Sequence, residues 1–341
     1  MSLVEIVQKF KVEGMAESIT PHGNGHIHQT FKVKTNKGRC YLLQKINDHV
    51  FQDVEGLMNN LHLVTEHLQS VDTEGPNLVL IKTKSSRTYL NHNRANWRLF
   101  VFLEELQSHD LIDAPEMIHE GAKALGKFIR NLSGLDPTNI SAPIKKFHDL
   151  SFRIQQFVDA KTHGITHRIS QCQPEIRLIE SHAANQLQLE QLKNTGKIPI
   201  RICHNDTKLN NVLFDKRMKA KLVIDLDTVM PGIVHYDYGD GIRTACSTTN
   251  EDERDLHKVG FDTAKLEAFD SGFLEPVDDL LTSEEKKTLR LAIPLFPYMQ
   301  AVRFLTDYLL GDQYYHTQYE DHNLVRARNQ LALFKEADKL S

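Results

Sequence analysis

The hydrophobic pattern of the chain changes character near residue 105. Before it, short apolar runs alternate with turn signals, and only residues 51–68 repeat apolar positions at the three- and four-residue spacing of a helix. The predicted strands of this part are residues 29–33, 40–46, 77–82 and 97–103. After it, helical patterns dominate, at residues 115–132, 173–192, 283–310 and 323–339. We therefore predict an α+β protein: a small β-rich lobe with one helix at 1–104, a larger, mainly helical lobe at 105–341, and a ligand cleft at their junction.

Short apolar pieces and two prolines interrupt the helical part. Residues 198–203 and 221–224 are predicted to form short strands, and a further apolar piece lies between them at 211–214. Pro294 and Pro297 lie inside the 283–310 pattern. Because proline lacks a backbone donor and clashes with the preceding turn, we expect a kink or break there.

Charge and hydropathy exclude two classes of partner. The 341 residues carry 41 Lys plus Arg and 45 Asp plus Glu, a formal net charge of -4, so no broad basic surface for nucleic acid is expected. No apolar run approaches the roughly 20 residues that cross a bilayer. The N-terminal segment carries early acids and lacks the uninterrupted apolar stretch of a secretory signal. We expect a cytoplasmic protein that binds neither membrane nor nucleic acid.

The most informative segment is the polar stretch at residues 203–215, which lies between two apolar runs. In it His204, Asp206 and Asn211 match the pattern H-x-D-x-x-x-x-N, and Asp225 ends a predicted strand nineteen positions after Asp206. Phosphoryl transfer needs a carboxylate that orients the attacking hydroxyl, and oxygen ligands that hold Mg²⁺ against nucleotide phosphates. Asp206 suits the first role, and Asn211 and Asp225 suit the second. The alternative is that these are ordinary turn residues.

These motifs resemble a known superfamily. The sequences HNDTKLNNVLFD (204–215), VIDLDTVMPG (223–232) and YDYGD (236–240) are similar to those of the aminoglycoside phosphotransferase and choline kinase superfamily, relatives of the protein kinases. They look most like the N-acetylhexosamine 1-kinase group. The resemblance implies a protein-kinase-like bilobal fold, with ATP as co-substrate and Mg²⁺ as cofactor. It further implies that Asp206 is the catalytic base and that Asn211 and Asp225 bind Mg²⁺.

The first lobe supplies the candidate nucleotide contacts. Lys45 ends the 40–46 strand, and the resemblance implies that it contacts the α and β phosphates of ATP. The alternative is an exposed lysine that guards a sheet edge. The turn that contains Gly23 and Gly25 is expected to cover the phosphates with backbone amides. Glu105, at the boundary between the two patterns, is also assigned to the nucleotide site.

The acidic partner of Lys45 stays open. Kinases generally pair this lysine with a glutamate on the following helix, and this chain has Asn59 where the resemblance places that acid. Glu55, one turn earlier, and Glu66, seven residues later, are the alternatives. If neither acid reaches Lys45, a weaker hydrogen bond would hold its side chain.

The acceptor is expected to be a small molecule with a hydroxyl group, such as an amino sugar. Its candidate contacts are Asn205, Asp227, Arg303 and Tyr314, with His26 or His28 reaching from the glycine turn. By resemblance to the hexosamine kinases, Arg303 and Tyr314 contact the sugar and its anomeric hydroxyl faces Asp206. The alternative for Arg303 is a solvated helix residue or an ion pair with Asp307 at i+4.

Other functions share the same base and metal ligands. In an aminoglycoside kinase or a choline or ethanolamine kinase, the acidic stretch at 251–253 would attract the amine. Trp97 is the only tryptophan and lies in a predicted strand, which disfavours an aromatic cage around a quaternary amine. A pseudokinase, which binds nucleotide without turnover, is disfavoured because the base, both metal ligands and the strand lysine occur together.

Overall fold

The β-rich lobe is built on one antiparallel sheet. The computed structural model describes residues 2–23 and 27–340. Five strands form the sheet in the order β1-β2-β3-β5-β4. Their bounds are β1 Ala16–Pro21, β2 Gln29–Thr35, β3 Cys40–Ile46, β4 Leu90–His92 and β5 Ala95–Val101. The helices of this lobe are α1 Leu3–Val7 and α2 Val54–Val71.

A hairpin of β2 and β3 places β3 at the centre of the sheet and confirms the strands predicted at 29–33 and 40–46. Gly38 in its turn has a φ of +75°, a conformation that favours glycine because a Cβ would be strained there. Between β2 and β5, Lys45 of β3 lies opposite Gln29 and Trp97. One face of the sheet packs on α1 and the chain after it, in a cluster of Ile6, Val7, Phe10, Val33, Tyr41, Leu43, Trp97 and Leu99.

The strand predicted at 77–82 is wrong as a regular element. These residues run beside the end of β5, where Ile81 donates its N–H to the oxygen of Leu99 and Val101 donates to that of Val79. The start of the same edge of β5 is taken by β4, which pairs Leu90 with Trp97. Because two segments share one short edge, neither forms a long ladder there.

Helix α2 packs into the large lobe. Its apolar face, with Leu57, Leu61 and Val64, belongs to the apolar cluster that fills the helical lobe. The buried Asn60 donates to the backbone oxygen of Ser141 (2.8 Å) and accepts from its N–H (2.9 Å). The two lobes therefore meet over a packed surface that includes this helix.

The larger lobe is mainly helical. Its helices are α3 Pro115–Leu132, α4 Leu150–His163, α5 Thr166–Gln171, α6 Gln173–Gln186, α7 Gln188–Asn194, α8 Val234–Ala245, α9 Thr263–Val277, α10 Ser283–Thr288, α11 Ala292–Leu310 and α12 His322–Ala337. Four short strands form two pairs, β6 Arg201–Cys203 with β9 Met230–Gly232, and β7 Val212–Phe214 with β8 Ala220–Val223. Within residues 2–23 and 27–340, no helix combines the length and apolar character that crossing a membrane requires.

Two long helical predictions are divided in the structure. The 173–192 pattern is two helices, α6 and α7, that meet at Leu187. The 283–310 pattern is also two helices, α10 and α11, but the 3₁₀ turn that separates them at Leu289–Leu291 comes before both prolines and not at Pro294 or Pro297, where the break was expected. Pro294 falls in the first turn of α11, where the missing N–H removes no helical hydrogen bond, and Pro297 lies inside the helix.

Candidate active site

The polar loop between β6 and β7 is held in shape by Asp237 of α8. The buried Asp237 carboxylate accepts hydrogen bonds from the backbone N–H of His204 (2.8 Å) and of Asn205 (2.7 Å). The Thr207 hydroxyl donates to the backbone oxygen of Asp237 (2.7 Å). Burial raises the pKa of Asp237 to about 6. Asp237 therefore positions the backbone on both sides of Asp206.

Asn205 makes the sharp turn before Asp206. Its φ is +65°, a left-handed conformation that asparagine tolerates better than most residues. Its side-chain amide donates to the backbone oxygens of Cys203 (3.0 Å) and Thr228 (3.0 Å), and Asn205 is 3% exposed. The amide nitrogen is thus used within the protein. The assignment of Asn205 to the acceptor site stays a prediction.

Asp206 lies directly beside Asn211 and Lys208. The Asn211 amide donates to the backbone oxygen of Asp206 (2.9 Å) and, at 3.4 Å, to its Oδ2. The Lys208 ammonium lies 3.0 Å from Asp206 Oδ1. Burial opposes ionisation of Asp206, but the Lys208 charge and other nearby cations hold its pKa below the ordinary value. The carboxylate is therefore anionic at neutral pH, as a base that accepts a hydroxyl proton must be.

Asp225 joins this group through the β7–β8 pair. Ile224, its predecessor, donates its N–H to the oxygen of Asn211 (2.8 Å) and accepts a hydrogen bond from His204 Nε2 (2.9 Å). Asp225 itself has a φ of +59° and begins a 3₁₀ turn. Low-dielectric surroundings and the neighbouring carboxylates raise its pKa. Asp206, Asn211 and Asp225 thus come together in one place that carries excess negative charge.

The oxygen donors here fit a cation that is shared with phosphate groups. Within the described ranges, neither Asn211 Oδ1 nor the Asp225 carboxylate accepts a hydrogen bond, so both are free to bind a metal. The same ranges contain no group of three or more His, Cys, Asp or Glu that could hold a metal alone. Mg²⁺ commonly takes one or two protein oxygens and completes its shell with substrate phosphates and water. The donor set therefore suits Mg²⁺ bound with a nucleotide, and these two metal assignments stay predictions.

The arrangement agrees with comparisons to known proteins. A sequence profile of the phosphotransferase enzyme family, APH, matches residues 18–269 of this chain. The chain belongs to this family. Its fold is similar to that of an aminoglycoside phosphotransferase from Alicyclobacillus acidocaldarius, with a TM-score of 0.60 and 16% identity over 98% of this chain and 95% of that one.

Two further structures share the fold. A microcompartment-associated aminopropanol kinase has a TM-score of 0.65 and 14% identity, over 99% of this phosphotransferase and 96% of that chain. The amicoumacin kinase hAmiN, in complex with AMP-PNP and Ca²⁺, has a TM-score of 0.62 and 10% identity, over 99% and 93%. At such identities the likeness concerns the fold. It confirms the predicted kinase-like α+β architecture, with a small sheet lobe and a larger helical lobe.

Asp227 and His28 contact each other across the lobe boundary. The buried Asp227 carboxylate accepts two hydrogen bonds from the Arg98 guanidinium of β5, one of them at 2.6 Å. It also accepts from His28 Nε2 (2.7 Å), whose Nδ1 accepts the N–H of Asn47 (3.0 Å). Although burial opposes ionisation, Arg98 holds the pKa of Asp227 well below its usual range. The contacts seen here join the lobes, and the roles of Asp227 and His28 in acceptor binding stay predictions.

No acid of the described residues pairs with Lys45 of β3. Its side chain is half-buried and, within residues 2–23 and 27–340, forms no ion pair or hydrogen bond. Glu66 instead lies near Lys82 (3.4 Å), and Glu55 is exposed on the first turn of α2. Neither candidate acid therefore holds Lys45 in this structure. Its ammonium is free for the phosphate contact that the phosphotransferase resemblance implies, which stays a prediction.

Two of the other nucleotide assignments, Gly23 and Glu105, fall within the described residues. Gly23 follows β1 with a φ of +77°, whereas Gly25 and His26 lie outside the described residues. Glu105 lies on the segment that joins the lobes, where its carboxylate is 3.2 Å from Lys216. Both side chains of that pair are more than four-fifths exposed to solvent, so it contributes little to stability. The nucleotide roles of these glycines and of Glu105 stay predictions.

Arg303 of α11 lies over aromatic rings. Its guanidinium is 5.6 Å from the ring centroids of both Phe147 and Tyr315. The alternative of an ion pair with Asp307 is wrong, because the Asp307 carboxylate accepts the backbone N–H groups of residues 313–315 at 2.8 to 2.9 Å. Arg303 therefore keeps its charge available.

Tyr314 and Arg303 belong to a cluster that reaches the polar loop at residues 203–215, which we name the catalytic loop after its proposed base. Tyr314 is 67% exposed, and its ring contacts that of Tyr315 at 4.8 Å. The ring of Phe147 packs on that of His148 at 4.4 Å. His148 Nε2 donates to the backbone oxygen of Asn205 (2.9 Å), one residue before the proposed base. The structure thus connects Arg303 to the catalytic loop through Phe147 and His148, and the acceptor contacts of Arg303 and Tyr314 stay predictions.

Two charged residues of the site, Lys208 and Arg98, lie outside the set that the sequence predicts. Lys208 stands two positions after Asp206 in the same polar loop, so the sequence spacing could have indicated that the two side chains lie close together. Arg98 interrupts an apolar strand, between Trp97 and Leu99, and such an arginine calls for a buried acid. The sequence carries no signal for which acid that is.

Proposed function

We propose that this phosphotransferase transfers the γ-phosphoryl group of ATP to the anomeric hydroxyl of an N-acetylhexosamine, giving a sugar 1-phosphate. The observation that carries phosphoryl transfer is the meeting of Asp206, Asn211 and Asp225 in one place. An anionic base and two free oxygen ligands are what transfer from a metal-bound nucleotide requires. Membership of the phosphotransferase family supports the same chemistry.

Each side chain then has a defined task. Asp206 orients the acceptor hydroxyl and accepts its proton as the bond to phosphorus forms. Asn211 and Asp225 would hold Mg²⁺, which neutralises charge on the phosphate oxygens when it is bound. Lys208, 3.0 Å from Asp206, fixes the direction of the carboxylate and adds positive charge beside the transferred group. Lys45 reaches the other phosphates from β3.

The arginines near the loop favour a neutral or acidic acceptor over an amine. Arg303, with the guanidinium of Arg153 close by, is connected to the catalytic loop through Phe147 and His148 and would repel a polycation. Glu251 in the acidic stretch is already 3.0 Å from Arg243. The acid next to it, Asp252, lies 3.7 Å from a histidine. Glu251 is therefore engaged by an arginine, whereas the cavity beside the loop is also lined by Asp110, Asp113 and Glu253. An amine acceptor stays the alternative that the acceptor screen tests.

A cavity that reaches Lys208 and Asn210 of the polar loop provides room for a small acceptor. It has a volume of about 530 Å³, and its lysine, arginine and acidic lining residues are Lys208, Arg243, Lys265, Asp110, Asp113, Glu251 and Glu253. This volume lies in the range of small-molecule sites, roughly 300 to 1,000 Å³. The exposed ring of Tyr314 offers an apolar face with a polar tip, which suits a sugar ring better than a fully apolar ligand.

The test is an acceptor screen with identification of the product. The purified chain is incubated with ATP and Mg²⁺ and with N-acetylglucosamine, N-acetylgalactosamine, other hexoses, choline or kanamycin, and products are identified by ³¹P NMR. We expect a sugar 1-phosphate. The methyl glycoside of each N-acetylhexosamine is the matched control, because its anomeric oxygen carries no proton and it should not react.

Three outcomes would contradict the proposal. Phosphorylated choline or kanamycin without a sugar product would favour the amine kinases. Equal reaction of the methyl glycoside would place transfer at another hydroxyl. Nucleotide binding without any product would favour a non-catalytic regulator.

A further inference from the structure

Two neighbouring arginines in the large lobe lack acidic partners. The other shielded arginines of the described ranges have a carboxylate within 4.0 Å, as Arg201 has Glu285 at 2.7 Å and Arg326 has Glu251 at 3.9 Å. Arg153 and Arg303 are half-buried, yet no carboxylate of the described residues lies within 4.0 Å of either guanidinium. Charged groups removed from water are normally paired, so this pair calls for an explanation.

The two guanidiniums gather around Phe147. Arg153 donates from its terminal nitrogens to the oxygen of Phe147 (3.2 Å) and to Gln156 Oε1 (2.9 Å). Arg303 lies over the ring of the same phenylalanine and over that of Tyr315. Burial and the Arg303 charge lower the pKa of Arg153 below its ordinary value, in keeping with crowding of like charges.

Unused donors converge at this point. Arg153 Nε and the Tyr315 hydroxyl are both buried without a hydrogen-bond partner among the described residues. A buried donor left unpaired lowers the stability of the fold. Two such donors beside two guanidiniums without an ion pair form an arrangement that an anionic group would complete, since guanidinium and hydroxyl donors both bind oxyanions.

This cluster is connected to the catalytic loop through two aromatic side chains. From Phe147 the contact passes to His148 at 4.4 Å between ring centroids, and from His148 to the backbone of Asn205 at 2.9 Å. Asp206 is the next residue. The arginines are therefore connected to the residue before the proposed base by two aromatic side chains, Phe147 and His148.

We propose that Arg153, Arg303 and the Tyr315 hydroxyl form a subsite for an oxyanion substituent of the acceptor: a carboxylate, sulfate or phosphate group. The inference rests on the proposed function for the hydroxyl that is phosphorylated and narrows the acceptor to acidic sugars. Arg153 and Tyr315 are specificity-determining residues that contact this substituent, not the reacting atoms.

The test is isothermal titration calorimetry on the full-length chain without nucleotide. The ligands are N-acetylglucosamine, its 6-phosphate, its 6-sulfate, and glucuronate, which carries a carboxylate and no acetamido group. We expect at least one oxyanion sugar to bind at least about tenfold more tightly than N-acetylglucosamine, and Arg153→Gln to reduce that ratio to about one. Arg177→Gln is the matched control, because Arg177 is exposed and has no ion pair among the described residues.

The ratio of the two affinities in the wild-type protein, for an oxyanion sugar and for N-acetylglucosamine, tests the subsite even if Arg153→Gln folds poorly. Equal affinity for the neutral and all acidic sugars, or no binding of any acidic sugar, overturns the subsite. A preference that survives intact in a folded Arg153→Gln variant does the same. Glucuronate binding that depends on Arg153, without turnover of any N-acetylhexosamine, would keep the subsite and reject the proposed sugar 1-kinase. The acidic sugar that binds most tightly identifies whether the subsite prefers a carboxylate, a sulfate or a phosphate group.

Discussion

Arg98 of β5 and Asp227 of the large lobe form a buried, doubly hydrogen-bonded ion pair across the cleft. Each side chain is 3% exposed, so the charges are compensated by each other rather than by water. Asp227 stands two residues after the proposed metal ligand Asp225. The pair therefore links the position of the sheet to the position of the metal site.

Removal of Arg98 should destabilise the protein strongly. Arg98→Met leaves the Asp227 carboxylate buried without its main partner, and we expect the free energy of unfolding to fall by about 3 to 5 kcal/mol. Urea unfolding followed by circular dichroism measures this. Arg39→Met is the control, because its pair with Glu13 is about two-thirds exposed and should cost less than about 1 kcal/mol. If Arg98→Met lowers the free energy of unfolding as little as Arg39→Met does, the Arg98–Asp227 pair does not hold the lobes together.

Replacement of the proposed base should separate chemistry from binding. Asp206→Asn keeps the shape of the side chain but removes its ability to accept a proton. We expect kcat to fall by about 10² to 10⁴ while the Kd for Mg²⁺-ATP stays within about twofold. Wild-type kcat in this variant would eliminate Asp206 as the base.

Replacement of Asp225 should weaken the binding of Mg²⁺. Asp225→Ala removes one of the two free oxygen ligands, so the Mg²⁺ concentration for half-maximal rate should rise at least about tenfold, and Mg²⁺-ATP binding should weaken with it. A magnesium titration of the rate and calorimetry with the nucleotide measure both. An unchanged magnesium requirement would discard this ligand.

Lys208 should matter for rate but little for stability. Its pair with Asp206 is partly exposed, so Lys208→Met should change the free energy of unfolding by less than about 1 kcal/mol. We expect kcat to fall about tenfold or more, because a positive charge beside the base and the transferred phosphoryl group is lost. Lys219→Met is a matched control, since its 2.7 Å pair with Glu120 is similarly exposed and lies outside the catalytic loop. Equal kcat in both variants would remove Lys208 from the mechanism.

The catalytic loop could be predicted because its signal is local. Polar residues at 203–215 sit between apolar runs, and Asp225 follows an apolar strand at a short distance along the chain. The β2–β3 hairpin carried an equally local signal in the turn at Gly38 and in two adjoining apolar strands. Such features depend on residues that are close in sequence, which is where pattern and turn chemistry are informative.

The sequence could not predict which groups the charged side chains contact. Arg303 and Asp307 have the spacing of a helical ion pair, but the chain returns after α11 and places three backbone N–H groups on Asp307. Arg98 finds Asp227 across 129 positions. Lys45 meets neither of the two acids considered for it. These outcomes depend on tertiary packing, which sequence spacing alone does not encode.

The contacts of Asn60 have a consequence for biosynthesis. Asn60 on α2 bonds to the backbone of Ser141, 81 positions onward, and of Val229, 169 positions onward. A ribosome that has made only the first 104 residues has therefore produced a helix whose apolar side is still bare. We expect this segment to need shielding until the remainder of the chain emerges, and a gene fragment ending there to yield insoluble protein.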